Sequence, residues 1–369
     1  MRSVSLNESR NFTSKGTLMR MRLVALPLFL CLIAMGRGSA ASSSAIPIKV
    51  VIVAMYEAGE DTGDTPGEYQ YWVERSHLDY VLPFDAGFHH LRMNDQGVLA
   101  VLTGVGTAKA AATIMALGLD PRFDLTHAYW LVAGIAGGDP ADVSLGSAVW
   151  VHWVVDGDIG YEIDAREIPS GWPTGYVPLR KSTPYEQPVA TPDGQVYELS
   201  SALTDWAYKL TKNVPLTDTE AMRAKRSHFA ETAAQRPPFV TVGDDLSAST
   251  FWHGKKMDDW ANAWVRYYTG GSGNFVVSGM EDTGTLQSLT FLAHAGKVDL
   301  KRVLILRTVS NYDQPPRGLT AIESLAEQKV GKYGAYLPAL AAAYSVGRPV
   351  VDAIVAHWDQ YRDHLPSDK

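Results

Sequence analysis

The chain has 369 residues, of which 46% are hydrophobic and 20% are charged. This composition is ordinary for a globular protein, and the length suffices for one large domain or two smaller ones. The formal net charge at pH 7 is −7, and an acidic chain is a poor candidate for binding nucleic acid or an anionic membrane.

The N-terminus has the layout of a secretory signal peptide over residues 1–40. A basic stretch at 19–22 precedes an apolar run at 23–34, and small residues at 38–40 offer a cleavage site before Ala41. The apolar run is shorter than the roughly 20 residues that span a bilayer, which disfavours the alternative of an uncleaved anchor. We therefore expect an exported protein, periplasmic or extracellular. Loss of six basic residues and one acid would take the net charge from −7 to −12.

The mature chain would contain no thiol, because the single cysteine, Cys31, lies inside the predicted signal peptide. Disulfides and cysteine–metal sites are then excluded. The ten histidines show no His-Glu-x-x-His motif or other paired ligand spacing, so the sequence predicts no metal site. Nothing in it points to a cofactor.

A short Ser/Ala linker at 41–45 leads into a domain that we expect to span 46–369. Apolar, β-branched runs predict strands at 48–54, 98–103, 128–133, 147–155, 275–278 and 302–309. Helical patterns follow at 107–119, 199–212, 217–235, 283–294 and 320–364. This alternation predicts an α/β fold with a mixed, largely parallel central sheet flanked by helices. The segment around 156–238 starts with a stretch rich in Pro, Gly and Tyr, and we interpret it as an insertion.

Two glycine-rich turns follow predicted strands. Thr103, Gly104 and Gly106 lie between a strand and a helix, where the helix N-terminus could hold a phosphate or a hydroxyl. A dinucleotide-binding fingerprint would need another glycine at Lys109, so that interpretation is disfavoured. Gly134 and Gly137 lie where the backbone must approach something closely, either a substrate or a neighbouring helix.

Two polar clusters lie beyond other predicted strands. Met280, Glu281 and Asp282 open a helix, where acids could also serve only to complement the helix dipole, worth about 0.3–1 kcal/mol. Arg307, Ser310 and Asn311 end the last strand, and a buried Arg307 needs a carboxylate partner such as Glu281. Carboxylates suit sugar hydroxyls and an amide suits a flat heterocycle, so the pattern favours a nucleoside ligand. Aromatic residues that could stack on its base are Tyr56, Phe251, Trp252 and Tyr312.

Other enzyme classes are weighed against this interpretation. No Gly-x-Ser-x-Gly motif is present, which argues against an α/β-hydrolase. Paired carboxylates of a carbohydrate-active enzyme stay an alternative, because spacing along the chain does not fix distance in space.

The motifs in series resemble a known family. Thr103 to Gly106, Ala133 to Gly138, Met280-Glu281 and Arg307 to Ser310 follow the order seen in nucleoside phosphorylases and methylthioadenosine nucleosidases. The stretches 279–285 and 310–313 resemble the purine nucleoside permease family more closely. This resemblance covers nearly the whole of 46–369 and implies a nucleoside-phosphorylase-like fold.

The resemblance also implies roles for individual residues. Glu281 would bind the ribose hydroxyls, and the turn from Thr103 to Gly106 would lie beside the reacting sugar carbon. Ser310 and Asn311 would meet the purine ring nitrogens. Asn311 stands where the nucleosidases carry an acidic proton donor, and acid catalysis is worth about 10²–10⁴-fold. Asp313 is the candidate to replace it.

The resemblance departs from the family patterns at two further points. The water-activating glutamate of the nucleosidases falls at Ala58, so Glu57 or Glu60 would have to serve. The Gly-Asp-Pro phosphate loop of the phosphorylases is absent, which disfavours phosphorolysis.

The sequence therefore predicts an exported purine-nucleoside-binding protein. Its mature part carries no run of 18 apolar residues, so the resemblance implies nucleoside uptake beside a membrane transporter rather than as a pore. Three alternatives stay open, namely hydrolysis of the N-glycosidic bond, capture without catalysis, and a phosphorylase. A homo-oligomer is also left open.

Overall fold

The computed structural model describes residues 44–192, 194–327 and 334–366. The predicted signal peptide and residues 41–43 of the linker lie outside the described residues, so export stays a prediction.

The described residues form an α/β protein. Its strands are β1 (Ile46–Pro47), β2 (Val50–Ala54), β3 (Tyr80–Leu82), β4 (Leu91–Met93), β5 (Val98–Leu102), β6 (Phe123–Asp124), β7 (Tyr129–Gly138), β8 (Ala148–Asp156), β9 (Tyr161–Glu162), β10 (Tyr176–Val177), β11 (Val196–Glu198), β12 (Val240–Ser247), β13 (Phe275–Gly279) and β14 (Val303–Tyr312). Its helices are α1 (Gln70–Arg75), α2 (Thr107–Gly118), α3 (Ser201–Thr211), α4 (Glu220–Arg226), α5 (Thr232–Gln235), α6 (Lys255–Tyr268), α7 (Asp282–His294), α8 (Ala321–Glu327), α9 (Tyr336–Ala356) and α10 (Trp358–Tyr361).

The central sheet is mixed and partly closed on itself. β2 pairs in parallel with β5 and β7, β7 with β14, and β12 with β8 and β13. Short antiparallel pairings join β13 to β7 and β14 to β8. The five strands β7, β13, β12, β8 and β14 therefore form a closed ring. The predicted mixed α/β architecture is confirmed, but the ring was not foreseen.

Helices cover both faces of the sheet. β2 and β5 are apolar and buried along their whole length, as strands covered on both sides must be. α2 and α7 pack together on one face, and α9 packs on β7 and β14 on the other. Gly284 in the first turn of α7 permits the close packing of α2, because a Cβ there would lie 2.2 Å from the Thr107 carbonyl oxygen.

α9 is the one helix among the described residues that is long and apolar enough to cross a membrane. About half of it is buried, and its contacts with β7 and β14 are those of a core helix.

The segment between β8 and β12 starts as a two-stranded ribbon, β9 with β10. β11 then adds an antiparallel edge to β8, and α3 to α5 lead back into β12. Its origin as an insertion stays a prediction.

Candidate active site

A cavity of about 330 Å³ lies at the ends of β2 and β13 and beside the carboxyl-terminal halves of β7 and β14. Ligand sites in α/β sheets form at such strand ends. The residues that line it are Met55, Tyr56, Glu68, Val105, Ile135, Ala136, Gly137, Thr250, Phe251, Trp252, Ser278, Gly279, Met280, Glu281, Ser310, Asn311, Asp313 and Tyr336. Aromatic and aliphatic side chains therefore face three carboxyl groups across one space.

Glu281 is fixed from two sides. Its Oε1 accepts a hydrogen bond from the Gly106 N–H at 3.0 Å, and its Oε2 lies 3.2 Å from Nη2 of Arg307. Burial raises the pKa of Glu281, while Arg307 and the Gly106 N–H act in the opposite direction. The result is an oriented carboxyl group with one edge at the cavity.

Arg307 is fully buried and lies behind Glu281. Its Nη2 lies 2.6 Å from Oδ2 of Asp282, and its Nη1 donates to the Ile135 carbonyl oxygen at 3.1 Å. The predicted ion pair of Arg307 with Glu281 is present, but neither Arg307 nor Asp282 lines the cavity. Both serve to hold Glu281.

Asp245 completes this buried cluster and was not identified from the sequence. Its Oδ1 accepts from the Gly279 N–H at 2.7 Å, and its Oδ2 has no hydrogen-bond partner in the described part of the chain. Burial, and then the neighbouring Asp282, raise the pKa of Asp245 well above its usual range. The raised pKa favours the neutral form of Asp245, which would reduce the excess of negative charge around Arg307. Asp245 lies inside β12, and its position in the sequence did not indicate this role.

Glu68 is the second carboxyl group of the cavity, and sequence reasoning did not identify it either. Its Oε2 accepts from the N–H groups of Met55 at 2.8 Å and Tyr56 at 3.1 Å, and its Oε1 from that of Ile135 at 2.7 Å. Burial raises the pKa of Glu68 to about 7, with Arg307 lowering it and Glu281 raising it. A Cβ at Gly134 would lie 2.4 Å from Glu68 Oε1. The close approach expected at Gly134 is therefore that of the Glu68 carboxyl group.

Glu57 and Glu60, the residues expected to activate water, do not line the cavity. The Glu57 carboxylate accepts the N–H groups of Ala58, Gly67, Tyr69 and Gln70, and so closes its own loop and the start of α1. Glu60 is exposed. The loop folds back and brings Glu68, further along the chain, to the strand end in their place.

Asp313 is the third carboxyl group of the cavity. Its Oδ1 accepts from the Ser278 hydroxyl at 2.9 Å, and its Oδ2 has no partner among the described residues. Burial raises the pKa of Asp313 well above its usual range, and the acids Asp258 and Asp139 act in the same direction. A Cβ at Gly137 would lie 1.9 Å from Asp313 Oδ1. A neutral Asp313 can donate its proton.

Ser310 and Asn311 line the cavity next to Asp313. The Ser310 hydroxyl lies 2.8 Å from Asn311 Oδ1, and the Asn311 amide donates to the Tyr312 carbonyl oxygen at 3.4 Å. The amide can hydrogen-bond to a ligand but has no proton to transfer. Both residues also border a second cavity of about 470 Å³.

The remaining predicted residues divide into two groups. Met280 and Gly137 line the cavity, whereas Thr103, Gly104, Gly106 and Gly134 do not. The φ angles of Gly104 and Gly106 are +78° and +97°, which explains glycine at this turn. Of the expected stacking aromatics, Tyr56, Phe251 and Trp252 reach the cavity. Tyr312 borders the second cavity instead.

Fold and site together define a mixed α/β protein with a cavity that joins apolar walls to three buried carboxyl groups. Such a site suits a small polar molecule with one flat apolar part. A family model described as Purine nucleoside permease (NUP) matches residues 47–366. The chain belongs to the purine nucleoside permease family.

Two curated relatives show the same likeness. A probable purine nucleoside permease of Schizosaccharomyces pombe is 33% identical over 276 residues, which cover 72% of this chain and 78% of that protein. A purine nucleoside permease of Candida albicans is 33% identical over 267 residues, or 71% of this chain. The match spans 65% of the Candida protein.

Solved structures of low sequence identity are also similar. Futalosine hydrolase of Helicobacter pylori is 15% identical with a TM-score of 0.49, over 83% of this chain and 98% of that one. The 5'-methylthioadenosine/S-adenosylhomocysteine nucleosidase of the same organism is 16% identical with a TM-score of 0.49, over 84% and 100% of the two chains.

Proposed function

We propose that this protein binds a purine nucleoside in the cavity and hydrolyses its N-glycosidic bond. One observation carries the proposal, namely that Glu281, Glu68 and Asp313 border the same cavity of about 330 Å³ in three different environments. Membership of the purine nucleoside permease family supports the ligand class. The order of the motifs supports a nucleoside-phosphorylase-like fold as the framework.

Binding would divide between the acidic and the apolar sides of the cavity. Glu281 has lone pairs left over after its contacts with Gly106 and Arg307, and these can accept the ribose hydroxyls. The base would lie against Phe251 or Trp252 and meet Asn311 on its edge, since aromatic walls suit a flat ring.

Hydrolysis would use the two other carboxyl groups. Glu68, with a pKa of about 7, takes a proton from the attacking water as the bond from oxygen to C1' forms. The bond from C1' to the base breaks, and Asp313 gives its proton to the departing nitrogen. Glu281 stabilises the positive charge that develops on the sugar. Carboxyl groups whose environments set different protonation states can divide the roles of base and acid in this way.

The test measures binding and product release separately. The purified mature chain is titrated calorimetrically with inosine, adenosine and guanosine, and the products are chromatographed. We expect Glu68→Gln and Asp313→Asn each to lower kcat by about 10²–10⁴-fold while the nucleoside still binds. If the wild type binds nucleosides and releases no base, the hydrolytic step is refuted.

A second candidate is capture of nucleosides without catalysis, for delivery to a membrane transporter. It is favoured by one observation, that Asn311 offers an amide where an acid would serve catalysis. It predicts binding with no free base under any condition. Acceleration by inorganic phosphate, with release of a sugar phosphate, would instead support a phosphorylase.

We further propose that the protein is exported by residues 1–40. N-terminal sequencing of the protein recovered outside the cytoplasm should begin at Ala41. Recovery of the intact N-terminus in the cytoplasm would contradict export.

A further inference from the structure

We propose that Asp61, His89 and His90 form a binding site for a divalent transition-metal ion of the zinc type. Nε2 of His89 lies 2.8 Å from Oδ1 of Asp61, and Nε2 of His90 lies 2.5 Å from Oδ2. One ligand atom of each residue falls within 4.8 Å of the other two. None of the three lines the nucleoside cavity, so the site is independent of the proposed function.

The two imidazole rings are arranged unusually for neighbours in sequence. Side chains of consecutive residues in an extended chain point to opposite sides. Here the ring centroids of His89 and His90 lie 3.9 Å apart at an interplanar angle of 36°, and both rings face the same carboxylate. The chain thus brings two nitrogens and one oxygen to a common point.

This donor set matches the preferences of zinc. Two imidazole nitrogens and one carboxylate oxygen, with a fourth position open to water, form a recurrent zinc site. The side chain of Asp61 is only 4% exposed, whereas those of His89 and His90 are 31% and 32% exposed. Solvent can therefore reach the two imidazole side chains, and a water molecule can supply the fourth ligand.

The contact of Arg92 with Asp61 is compatible both with a metal site and with a hydrogen-bonded cluster that holds no ion. Nε of Arg92 donates to Asp61 Oδ2 at 2.7 Å, which would leave Oδ1 to bind the ion while Oδ2 keeps its partner. Ligating carboxylates commonly carry such outer hydrogen bonds. In a cluster without an ion, the same contacts would simply connect the loop of Asp61 to β4.

A bound ion would also act on the loop beside the nucleoside site. Phe88 precedes His89, and its ring packs against Gly104, where a Cβ would lie 2.7 Å from the ring of Phe88. Gly104 belongs to the same turn as Gly106, which donates to Glu281. An ion that joins the loop of Asp61 to residues 89–90 would therefore stabilise a neighbour of the turn that holds Glu281.

The experiment titrates the chelator-treated chain, without an affinity tag, with Zn²⁺ by calorimetry and with Co²⁺ by visible absorption. We expect one ion per chain and the absorption of tetrahedral Co²⁺. His89→Gln and His90→Gln should each weaken binding by more than about tenfold, and the double variant should abolish it, because each removes a ligand. Zn²⁺ should raise the Tm of the wild type but not of the double variant.

His152→Gln is the matched control. His152 also pairs with an aspartate, Asp205, at 3.2 Å, and among the described residues this pair belongs to no group of three potential ligands. Its substitution should leave ion binding unchanged. Circular dichroism equal to that of the ion-free wild type shows that the double variant is folded. The proposal is overturned if the wild type binds no ion or if the double variant binds it as tightly.

Discussion

The three carboxyl groups of the cavity differ in what compensates for their burial. Glu281 faces the cation of Arg307, Glu68 receives three backbone N–H groups, and Asp313 receives one serine hydroxyl. Hydrogen bonds and cations favour the charged form, whereas burial alone favours the neutral form. Asp313 is therefore the residue best suited to carry a proton, and Glu281 the residue best suited to carry charge.

Glu281→Ala should weaken nucleoside binding by at least about 1.5 kcal/mol, the value of a lost hydrogen bond to a charged group. Calorimetric titration measures the change. The control is Glu60→Gln, because Glu60 is exposed and does not line the cavity. Equal affinities of Glu281→Ala and the wild type would show that the ligand does not contact Glu281.

The pH dependence of base release follows from Glu68 and Asp313. Glu68 must be deprotonated to accept a proton, so kcat/KM should fall as the pH drops below its pKa of about 7. Asp313 must be protonated, and its raised pKa favours that form. In Glu68→Gln the acidic limb of the profile should disappear together with most of the rate, whereas Glu60→Gln should retain the limb. If the acidic limb is unchanged in Glu68→Gln, the limb reports the titration of another group.

The raised pKa of Glu68 also predicts how the stability of the fold depends on pH. A pKa raised from 4.5 to about 7 means that the folded protein binds this proton more tightly than the unfolded chain. The stabilisation is complete below the unfolded pKa and is lost as the pH rises through about 7. As the pH rises from about 4.5 to above 7, the free energy of unfolding of the wild type should fall by about 3 kcal/mol relative to that of Glu68→Gln. Urea unfolding at a series of pH values measures this difference. A difference that does not vary with pH would contradict the raised pKa.

At the scale of elements, the contact of α2 with α7 positions both ends of the Glu281 hydrogen bond. Gly106 precedes α2, and Glu281 precedes α7. Gly284→Ala places a methyl group against the Thr107 carbonyl oxygen, which is 2.2 Å away. We expect a loss of about 1–3 kcal/mol of unfolding free energy, as for other overpacked contacts, together with weaker nucleoside binding.

Ala112→Ser is the control for this substitution. Ala112 is exposed on α2, so one added atom there should change stability by less than about 0.5 kcal/mol. Chemical unfolding and calorimetry measure both variants. A Gly284→Ala protein as stable as Ala112→Ser would show that α2 and α7 can separate without cost.

Elements with a strong local pattern could be predicted from the sequence. The helix expected at 107–119 is α2 (Thr107–Gly118), and the strand expected at 98–103 is β5 (Val98–Leu102). The strand expected to end at 133 instead continues through the glycines to Gly138. β14 and β13 pair with those glycines from two sides, so tertiary pairing overrides the weak strand preference of glycine.

The sequence predicts which residues meet at the cavity only where they lie at the ends of strands. Met280 and Glu281 follow β13, and Asn311 lies near the end of β14. All three border the cavity, so the positions of the strand ends sufficed to bring them together. Glu68 reaches the cavity by the path of a loop. Asp245 does not line the cavity and joins the buried cluster around Arg307, at a register shift in β12 next to Asp244. Neither the loop path nor the closing of the ring through β14 and β8 is encoded in local periodicity.

At the scale of the whole molecule, thermal unfolding in the presence of candidate ligands should distinguish a nucleoside from a carbohydrate ligand. A ligand that binds only the folded state stabilises it by about 2.7 kcal/mol at 100 times its Kd. For a chain of this size, thermal unfolding should then shift upward by several degrees, with about 2–4 °C expected per kcal/mol. Purine nucleosides should give this shift, and free ribose or free purine at the same concentration should give much less, because each fills one side of the cavity. A shift with sugars that does not depend on a base would favour the carbohydrate alternative. Glu281→Ala should reduce the nucleoside shift, and a full shift in that variant would place the nucleoside outside this cavity.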